Sequence, residues 1–142
     1  MTGFLAPSPV TIFIAGPVRG KGRPRFVRAT GRTYTPPATA SYEAVLRYAA
    51  QEAMRGREMF LCPVRISIVA DFDIPKSFSK KAAEAARLGY AKPAKKPDWD
   101  NIAKLTDALN GIVFKDDAQI IDGQIIKRYS TEPGLSIEVR AA

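Results

Sequence analysis

Strand-like and helix-like apolar patterns follow one another along this chain, separated by breaks rich in Pro and Gly. Residues 64–75, VRISIVADFDIP, alternate apolar with polar side chains, which is typical of a half-buried strand that stops at a proline. The patterns predict strands at 10–18 (buried) and 64–75, short strand pieces at 26–27 and 33–35, helices at 38–57, 77–89 (capped at Ser77 or Ser79) and 98–110, and strand character over 112–130.

The size and composition of the chain indicate one soluble domain over residues 1–142. With 46% hydrophobic residues, a chain of this length can bury a core without help from disulfides or metal ions. Cys62 is the single cysteine, so no intrachain disulfide is expected, which agrees with a reducing cytoplasm. No apolar run reaches the length of a membrane span, and the start of the chain lacks the pattern of a secretory signal, so we expect no membrane association.

The chain contains no histidine. This excludes histidine general bases, the Ser-His-Asp triad and zinc sites built with histidine. An enzyme of this composition must rely on carboxylates, lysine or a bound metal ion. Because hard cations such as Mg²⁺ prefer oxygen ligands, clustered aspartates are the kind of site that the composition permits.

Five aspartates are concentrated in residues 95–117, KKPDWDNIAKLTDALNGIVFKDD, of a chain whose formal charge is +8. A helix over residues 98–110 has a length of roughly 18 Å at about 1.5 Å per residue. Six extended residues leading to Asp117 cover roughly 20 Å. If the chain turns back after the helix, Asp117 arrives beside Asp98 and Asp100, and the three carboxylates can share one site.

A structural role for these acids is the alternative. Asp98 and Asp100 suit a helix N-terminus, where capping and the helix dipole each contribute about 0.3 to 2 kcal/mol. Asp100 and Lys104 also form a favourable i, i+4 pair, and Asp116-Asp117 could be a solvated turn. Such roles do not explain why like charges should meet in a basic chain, since carboxylates at close range repel unless a cation bridges them.

The basic segment RGKGRPRFVRATGR indicates an anionic partner, and nucleic acid is the leading candidate. Cations interleaved with glycine and aromatic residues suit a phosphate backbone, where each neutralised phosphate releases counterions. A solvated loop that keeps the protein soluble is the alternative. The candidate DNA contacts are Lys21, Arg23, Arg25, Arg28 and Arg32, together with Lys95 and Lys96 directly before the acids.

Three stretches of the sequence closely resemble the RusA family of Holliday junction resolvases, endonucleases that resolve four-way DNA junctions. They are KGRPRF at residues 21–26, KPDWDNIAKLTDALNG at residues 96–111 and FKDDAQI at residues 114–120. The predicted order of strands and helices on either side also fits the family. Members are often carried by phages or prophages, so the resemblance is compatible with a bacterial or phage origin.

The resemblance implies an α/β (α+β) fold, with a mixed β-sheet packed with helices in a single domain that forms an intertwined homodimer. It implies hydrolysis that depends on Mg²⁺, with Mn²⁺ as a substitute, and one active site per subunit cutting opposed strands of branched DNA. Carried over by position, the catalytic residues are Asp98, Asp100, Asp117 and Lys104, and the metal ligands are Asp98, Asp100, Asp117 and the neighbouring Asp116.

Two other functions fit the same residues. One is a basic DNA-binding or architectural protein without catalysis, whose acids cap a helix and tune affinity. The other is a nuclease for branched DNA other than four-way junctions. Cleavage that requires Mg²⁺ or Mn²⁺ and stops in a chelator separates the nucleases from the architectural protein.

Overall fold

The computed structural model describes residues 7–21, 25–27, 29–34 and 37–142, with the backbone alone at 25–27, 33–34 and 37–40. In chain order the elements are β1 (Val10–Ala15), β2 (Arg25–Val27), β3 (Arg32–Tyr34), α1 (Pro37–Ala53), β4 (Val64–Asp73), α2 (Lys80–Arg87), α3 (Trp99–Ala103), β5 (Ile120–Ser130) and β6 (Gly134–Ala141). Two 3₁₀ helices, Lys104–Leu109 and Asp117–Gln119, lie between α3 and β5.

The fold is one mixed α+β domain built on a four-stranded sheet of order β1-β6-β4-β5. β6 is antiparallel to both β1 and β4, whereas β5 runs parallel to β4. A parallel pair requires a crossover, and the connection from β4 to β5 contains α2, α3 and both 3₁₀ helices. The predicted α+β class with a mixed sheet in a single domain is therefore confirmed, the intertwined homodimer stays a prediction, and the aspartate-rich segment lies within this crossover.

The core lies between one face of the sheet and the helices. Ile12, Ile68 and Ile137 face the helices from three neighbouring strands and are almost fully buried. α1 contributes Leu46, and the crossover contributes Leu105. Burying such side chains stabilises the fold by about 1.5 to 3 kcal/mol each, so the crossover is held in place mainly by its apolar stripe.

The first strand differs from its prediction in length and burial. β1 ends at Ala15 rather than at residue 18, and its side chains alternate between buried and exposed positions. Phe13 is 56% exposed on the sheet face turned away from the core. β1 is an edge strand that buries only one face, so its apolar run VTIFIA does not indicate burial on both sides.

The elements predicted for the middle of the chain are present, but some are shorter than predicted. The two short strand pieces are β2 and β3, which pair as an antiparallel hairpin, and residue 35 lies outside the described residues. α1 ends at Ala53 rather than at residue 57, and β4 ends at Asp73 rather than at residue 75. α2 begins after Ser79, whose Oγ accepts a hydrogen bond from the N–H of Ala82 at 3.1 Å. Gly89, with φ of 84°, follows the helix in the left-handed conformation that glycine tolerates best.

The end of the crossover corrects two predictions. The helix expected over residues 98–110 has the right extent, but only α3 is α-helical and the second half is the 3₁₀ helix Lys104–Leu109. Strand character expected from residue 112 begins only at Ile120. Residues before it form a turn in which the N–H of Gly111 donates to the carbonyl of Phe114 at 2.7 Å. None of the helices in the described ranges has the length and apolarity to cross a membrane.

Candidate active site

Two of the aspartates project from the start of α3. Asp98 is the N-cap residue by backbone conformation, yet its side chain makes no capping hydrogen bond. Asp98 and Asp100 are both exposed, as is Trp99 between them. The prediction that Asp98 caps the helix through its side chain is therefore wrong, and its carboxylate keeps its oxygen atoms for another partner.

Lys104 lies one turn beyond Asp100, as the sequence predicts. Its Nζ is 3.7 Å from Oδ2 of Asp100, and both side chains are at least half exposed. An exposed i, i+4 pair contributes only a few tenths of a kcal/mol to stability. The contact therefore does more to orient the two groups than to hold the helix together.

The third candidate acid, Asp117, is delivered by a short 3₁₀ helix with a well-defined start. Oδ2 of Asp116 accepts from the N–H of Ala118 at 3.2 Å. The side chain of Gln119 accepts at Oε1 from the N–H groups of Lys115 and Asp116, at 2.8 and 3.1 Å. Asp116 and Gln119 thus form a capping box, which leaves Asp117 as the acid of the pair without a part in the cap.

Gln119 also ties this turn to the sheet. Its Nε2 donates to the carbonyl oxygens of Phe60 and Cys62, at 2.8 and 3.0 Å, in the segment that leads into β4. The amide side chain therefore makes four hydrogen bonds, two as acceptor and two as donor. It fixes the position of Asp117 relative to the strand next to β5.

The 3₁₀ helix that carries Asp117 packs against the 3₁₀ helix that carries Asp107. Partial burial raises the pKa of the Asp117 carboxyl above its ordinary value of 3.8, and the neighbouring carboxyls of Asp107 and Asp116 raise it further. Two carboxylates in contact repel each other at neutral pH unless a proton or a cation lies between them. The structure thus brings like charges together in a chain of net charge +8.

A lysine from far away in the sequence, Lys21, also contacts Asp107. Nζ of Lys21 is 3.0 Å from Oδ2 of Asp107 and 3.6 Å from Oε1 of Glu43 on α1. The hydrogen bond to Asp107 is the main cause that raises the pKa of Lys21. Asp107 therefore has a cation, Lys21, and a second carboxyl, Asp117, as its neighbours.

The donor chemistry of this region fits a hard divalent cation. Mg²⁺ in proteins is usually held by one or two carboxylates together with substrate phosphates, rather than by a complete cage of side chains. Within the part of the chain that the structure describes, no three Asp, Glu, Cys or His side chains stand close enough to cage a metal ion. The paired carboxylates of Asp107 and Asp117 are the arrangement that a bridging cation relieves.

The sequence placed Asp98, Asp100, Asp117 and Lys104 in one site. The structure aligns Asp98, Asp100 and Lys104 along α3 and its 3₁₀ extension, and it places Asp117 beside Asp107. Convergence of Asp117 with Asp98 and Asp100 stays a prediction. The extended path proposed for it is wrong, because the chain returns through a turn and a 3₁₀ helix.

The basic residues expected to contact DNA are distributed unequally. Arg32, Lys95 and Lys96 are exposed, and Nζ of Lys95 also lies 6.0 and 5.9 Å from the ring centres of Phe72 and Tyr129. Lys21 instead faces Asp107 and Glu43. Of the others, Arg23 and Arg28 lie outside the described residues, and Arg25 is described by its backbone alone.

Asp107 and Glu43 are the residues of this region that the sequence prediction omitted. For Asp107 a signal existed, because it follows Asp100 by seven residues and Lys104 by three, which places all three on one helical face. Glu43 sits on α1, far away in sequence, and only the packing of α1 against the crossover brings it to Lys21.

Comparison with known proteins agrees with these features. Residues 15–140 match a family model described as endodeoxyribonuclease RusA. The chain is also 36% identical over 126 residues to the uncharacterized protein YqaN of Bacillus subtilis (strain 168), a match that covers 84% of this chain and 87% of the relative. The family match includes the aspartate-rich crossover and the strands on either side of it.

Proposed function

Since the chain belongs to the RusA endodeoxyribonuclease family, we propose that it is a Mg²⁺-dependent endonuclease that resolves four-way DNA junctions by paired nicks in recombination and repair. The observation that carries the proposal is the packing of the two 3₁₀ helices that carry Asp107 and Asp117, which sets these acids side by side on a segment that also exposes Asp98 and Asp100. A solvated turn or a helix cap offers no reason for this arrangement.

We propose Asp98, Asp100 and Asp117 as the residues that would hold the cation. Asp116 is proposed as a weaker, additional ligand of the cation, because its Oδ2 already accepts a hydrogen bond from the N–H of Ala118. When bound, Mg²⁺, or Mn²⁺ in its place, supplies Lewis-acid stabilisation to the scissile phosphate and favours ionisation of the attacking water. The absence of histidine is then no obstacle to hydrolysis at neutral pH.

Lys104 is proposed to act on the phosphate rather than on the fold. Its ammonium group is held near Asp100 at 3.7 Å and is half exposed, so it can turn toward an incoming phosphate without leaving the site. A cation fixed beside the reacting group stabilises the negative charge that develops on the phosphate oxygens. The pair with Asp100 keeps the ammonium in place before DNA binds.

The remaining basic residues are proposed to position the junction. Exposed Arg32, Lys95 and Lys96 are available to phosphates, and Arg23, Arg25 and Arg28 belong to the same basic segment of the sequence. Contacts to phosphates fix register and supply affinity that falls with salt, but they do not read base sequence. Specificity for a junction then depends on the shape of the branch.

We propose that the protein acts as a homodimer in the cytoplasm. One chain carries one acid cluster, and paired incisions across a junction need two, which a two-fold symmetric dimer supplies. A protein with one cysteine, Cys62, needs no oxidising compartment for its fold, which agrees with a cytoplasmic location.

The proposal is tested with a labelled synthetic four-way junction and purified protein, with Mg²⁺, with Mn²⁺ and with a chelator. We expect symmetric nicked duplexes in either metal and none in the chelator. Asp98→Asn, Asp100→Asn and Asp117→Asn should each bind the junction but not cut it, because they remove ligand charge without adding bulk. Binding without cutting by the wild-type protein in every metal would instead indicate an architectural protein.

Three-way junctions and flaps of the same arm sequences serve as the substrate control. Faster cutting of these substrates than of four-way junctions would support a nuclease but would show that its preferred substrate is another branched DNA. Equal cutting of linear duplex would remove the structure-specific part of the proposal.

A further inference from the structure

The ammonium group of Lys21 is turned inward, although Lys21 belongs to the basic segment predicted to contact DNA. Its Nζ lies 3.0 Å from Asp107 and 3.6 Å from Glu43, and the Lys21 side chain is only 28% exposed. Glu43 is still more enclosed, with 12% of its side chain exposed. A phosphate could approach this ammonium only by competing with two carboxylates.

The backbone at Lys21 is fixed where the basic segment meets α3. The N–H of Lys21 donates to the carbonyl of Asn101 at 3.0 Å. Gly20 packs so closely that a Cβ there would lie 2.7 Å from Cβ of Pro97 and 2.9 Å from Cβ of Asn101. The backbone of Lys21 is therefore held in place by its neighbours, and the fold directs the lysine side chain toward Asp107.

The environment of Glu43 supports the same conclusion. Among the described residues, its buried Oε1 receives no hydrogen bond, and the cations near the carboxylate are Lys21, 3.6 Å from Oε1, and Arg47, 4.0 Å from Oε2. A buried carboxylate without a nearby cation is costly. The Lys21 ammonium thus offsets the charge of Glu43 and Asp107 together.

We propose that Lys21 is a positioning residue of the nuclease site, which orients the Asp107 carboxylate beside Asp117 for catalysis at the expense of some metal affinity, and that it is not a phosphate contact. This inference rests on the proposed function for the identity of the site. It assigns Asp107 to the site as the residue through which Lys21 acts.

The test compares Lys21→Met, which keeps the stem and removes the charge, with Lys21→Arg, which keeps the charge. Lys96→Met is the matched control, because Lys96 is exposed and is proposed to contact phosphate. Junction affinity is measured in a chelator at several salt concentrations. Lys96→Met should make the slope of log K against log salt shallower by up to about 0.9, and Lys21→Met should leave the slope unchanged.

Two further measurements separate a positioning role from a general loss of structure. Mn²⁺ affinity is followed by the fluorescence of Trp99, the single tryptophan, which lies between Asp98 and Asp100 and is 56% exposed. Lys21→Met should bind Mn²⁺ about two- to fivefold more tightly, because a neighbouring cation no longer opposes the metal. Its kcat should nevertheless fall about tenfold or more at unchanged KM for the junction, with partial rescue by Lys21→Arg.

A salt slope reduced in Lys21→Met as much as in Lys96→Met would overturn the proposal, as would wild-type kcat and Mn²⁺ affinity in Lys21→Met. Weaker Mn²⁺ binding together with a lowered unfolding midpoint would also overturn it, in favour of a purely structural contact. If the wild-type protein cuts no DNA in any metal, the proposed function is refuted. The inference about Lys21 can still be tested in that case, because the salt slope and the Mn²⁺ affinity are measured without cleavage.

Discussion

Asp117→Asn should stabilise the metal-free protein at neutral pH while it abolishes cleavage. The folded-state pKa of Asp117 is raised by burial and by the carboxyls of Asp107 and Asp116. A carboxyl with a raised folded pKa adds stability below its unfolded pKa, and this stability is lost as the pH rises through the folded pKa. At neutral pH the ionised Asp117 is therefore in a less favourable environment in the folded protein than in the unfolded chain.

The size of the gain follows from the contact with Asp107. An amide at position 117 removes the repulsion and can still donate a hydrogen bond to the Asp107 carboxylate. Partly exposed charge pairs are worth at most about 1 kcal/mol, so we expect a gain of up to about 1 kcal/mol in the free energy of unfolding at pH 7. For a domain of this size the midpoint of thermal unfolding should rise by about 2 to 4 °C.

The assay is thermal unfolding followed by circular dichroism in a chelator, from acid to neutral pH. The difference between Asp117→Asn and the wild type should shrink as the pH falls toward 3.8, because the wild-type carboxyl is then protonated as well. Adding Mg²⁺ at ten times its Kd should stabilise the wild type by about 1.4 kcal/mol and the variant by less.

Asp122→Asn is the matched control. Asp122 is an exposed acid on β5, with Oδ2 3.7 Å from Nε of Arg65, so its replacement should cost at most about 1 kcal/mol and should not change the response to Mg²⁺. A loss of stability in Asp117→Asn at pH 7, or a gain that persists in acid, would refute repulsion between Asp107 and Asp117 as the source of the effect.

Three other predictions concern the surroundings of the site. Asp116→Ala should lose about 1 kcal/mol of stability through its cap but still cut, and complete loss of cleavage in this variant would promote Asp116 to an essential ligand. Gly20→Ala should lower the unfolding free energy by about 1 to 3 kcal/mol, since its Cβ would collide with Pro97 and Asn101, and wild-type stability would contradict the close contact. Replacing Arg23 and Arg25 together by Ala should make the salt slope of junction binding shallower by up to about 0.9 per contact, whereas an unchanged slope would indicate a solvated loop.

The strands and helices could be predicted where one local pattern decides the structure. Alternation fixes β4, and Ser79 and Gly89 mark the ends of α2. The stretch after Gly111 misleads because its apolar residues resemble a strand but form a turn, in which Val113 and Phe114 are fully buried. A short apolar run does not distinguish a buried turn from a strand, since both remove the same side chains from water.

The site could be predicted only in part, for a similar reason. The acids of α3 and Asp117 stand out by their number in a basic chain, and the family resemblance assigns roles to them. The contact between Lys21 and Asp107 joins residues 86 positions apart and depends on how the basic segment packs against α3. The sequence therefore predicts Lys21 as one more cation of a DNA-binding loop, because sequence alone does not show which groups an ammonium group contacts.

The four hydrogen bonds of the Gln119 side chain fix the turn that carries Asp117. Only an amide side chain can accept from two N–H groups and donate to two carbonyls at once, so a glutamate at this position would leave Phe60 and Cys62 without donors. The turn that carries Asp117 is consequently ordered when the protein folds. Its conformational entropy is lost on folding, so binding of a DNA substrate does not have to supply that free energy again.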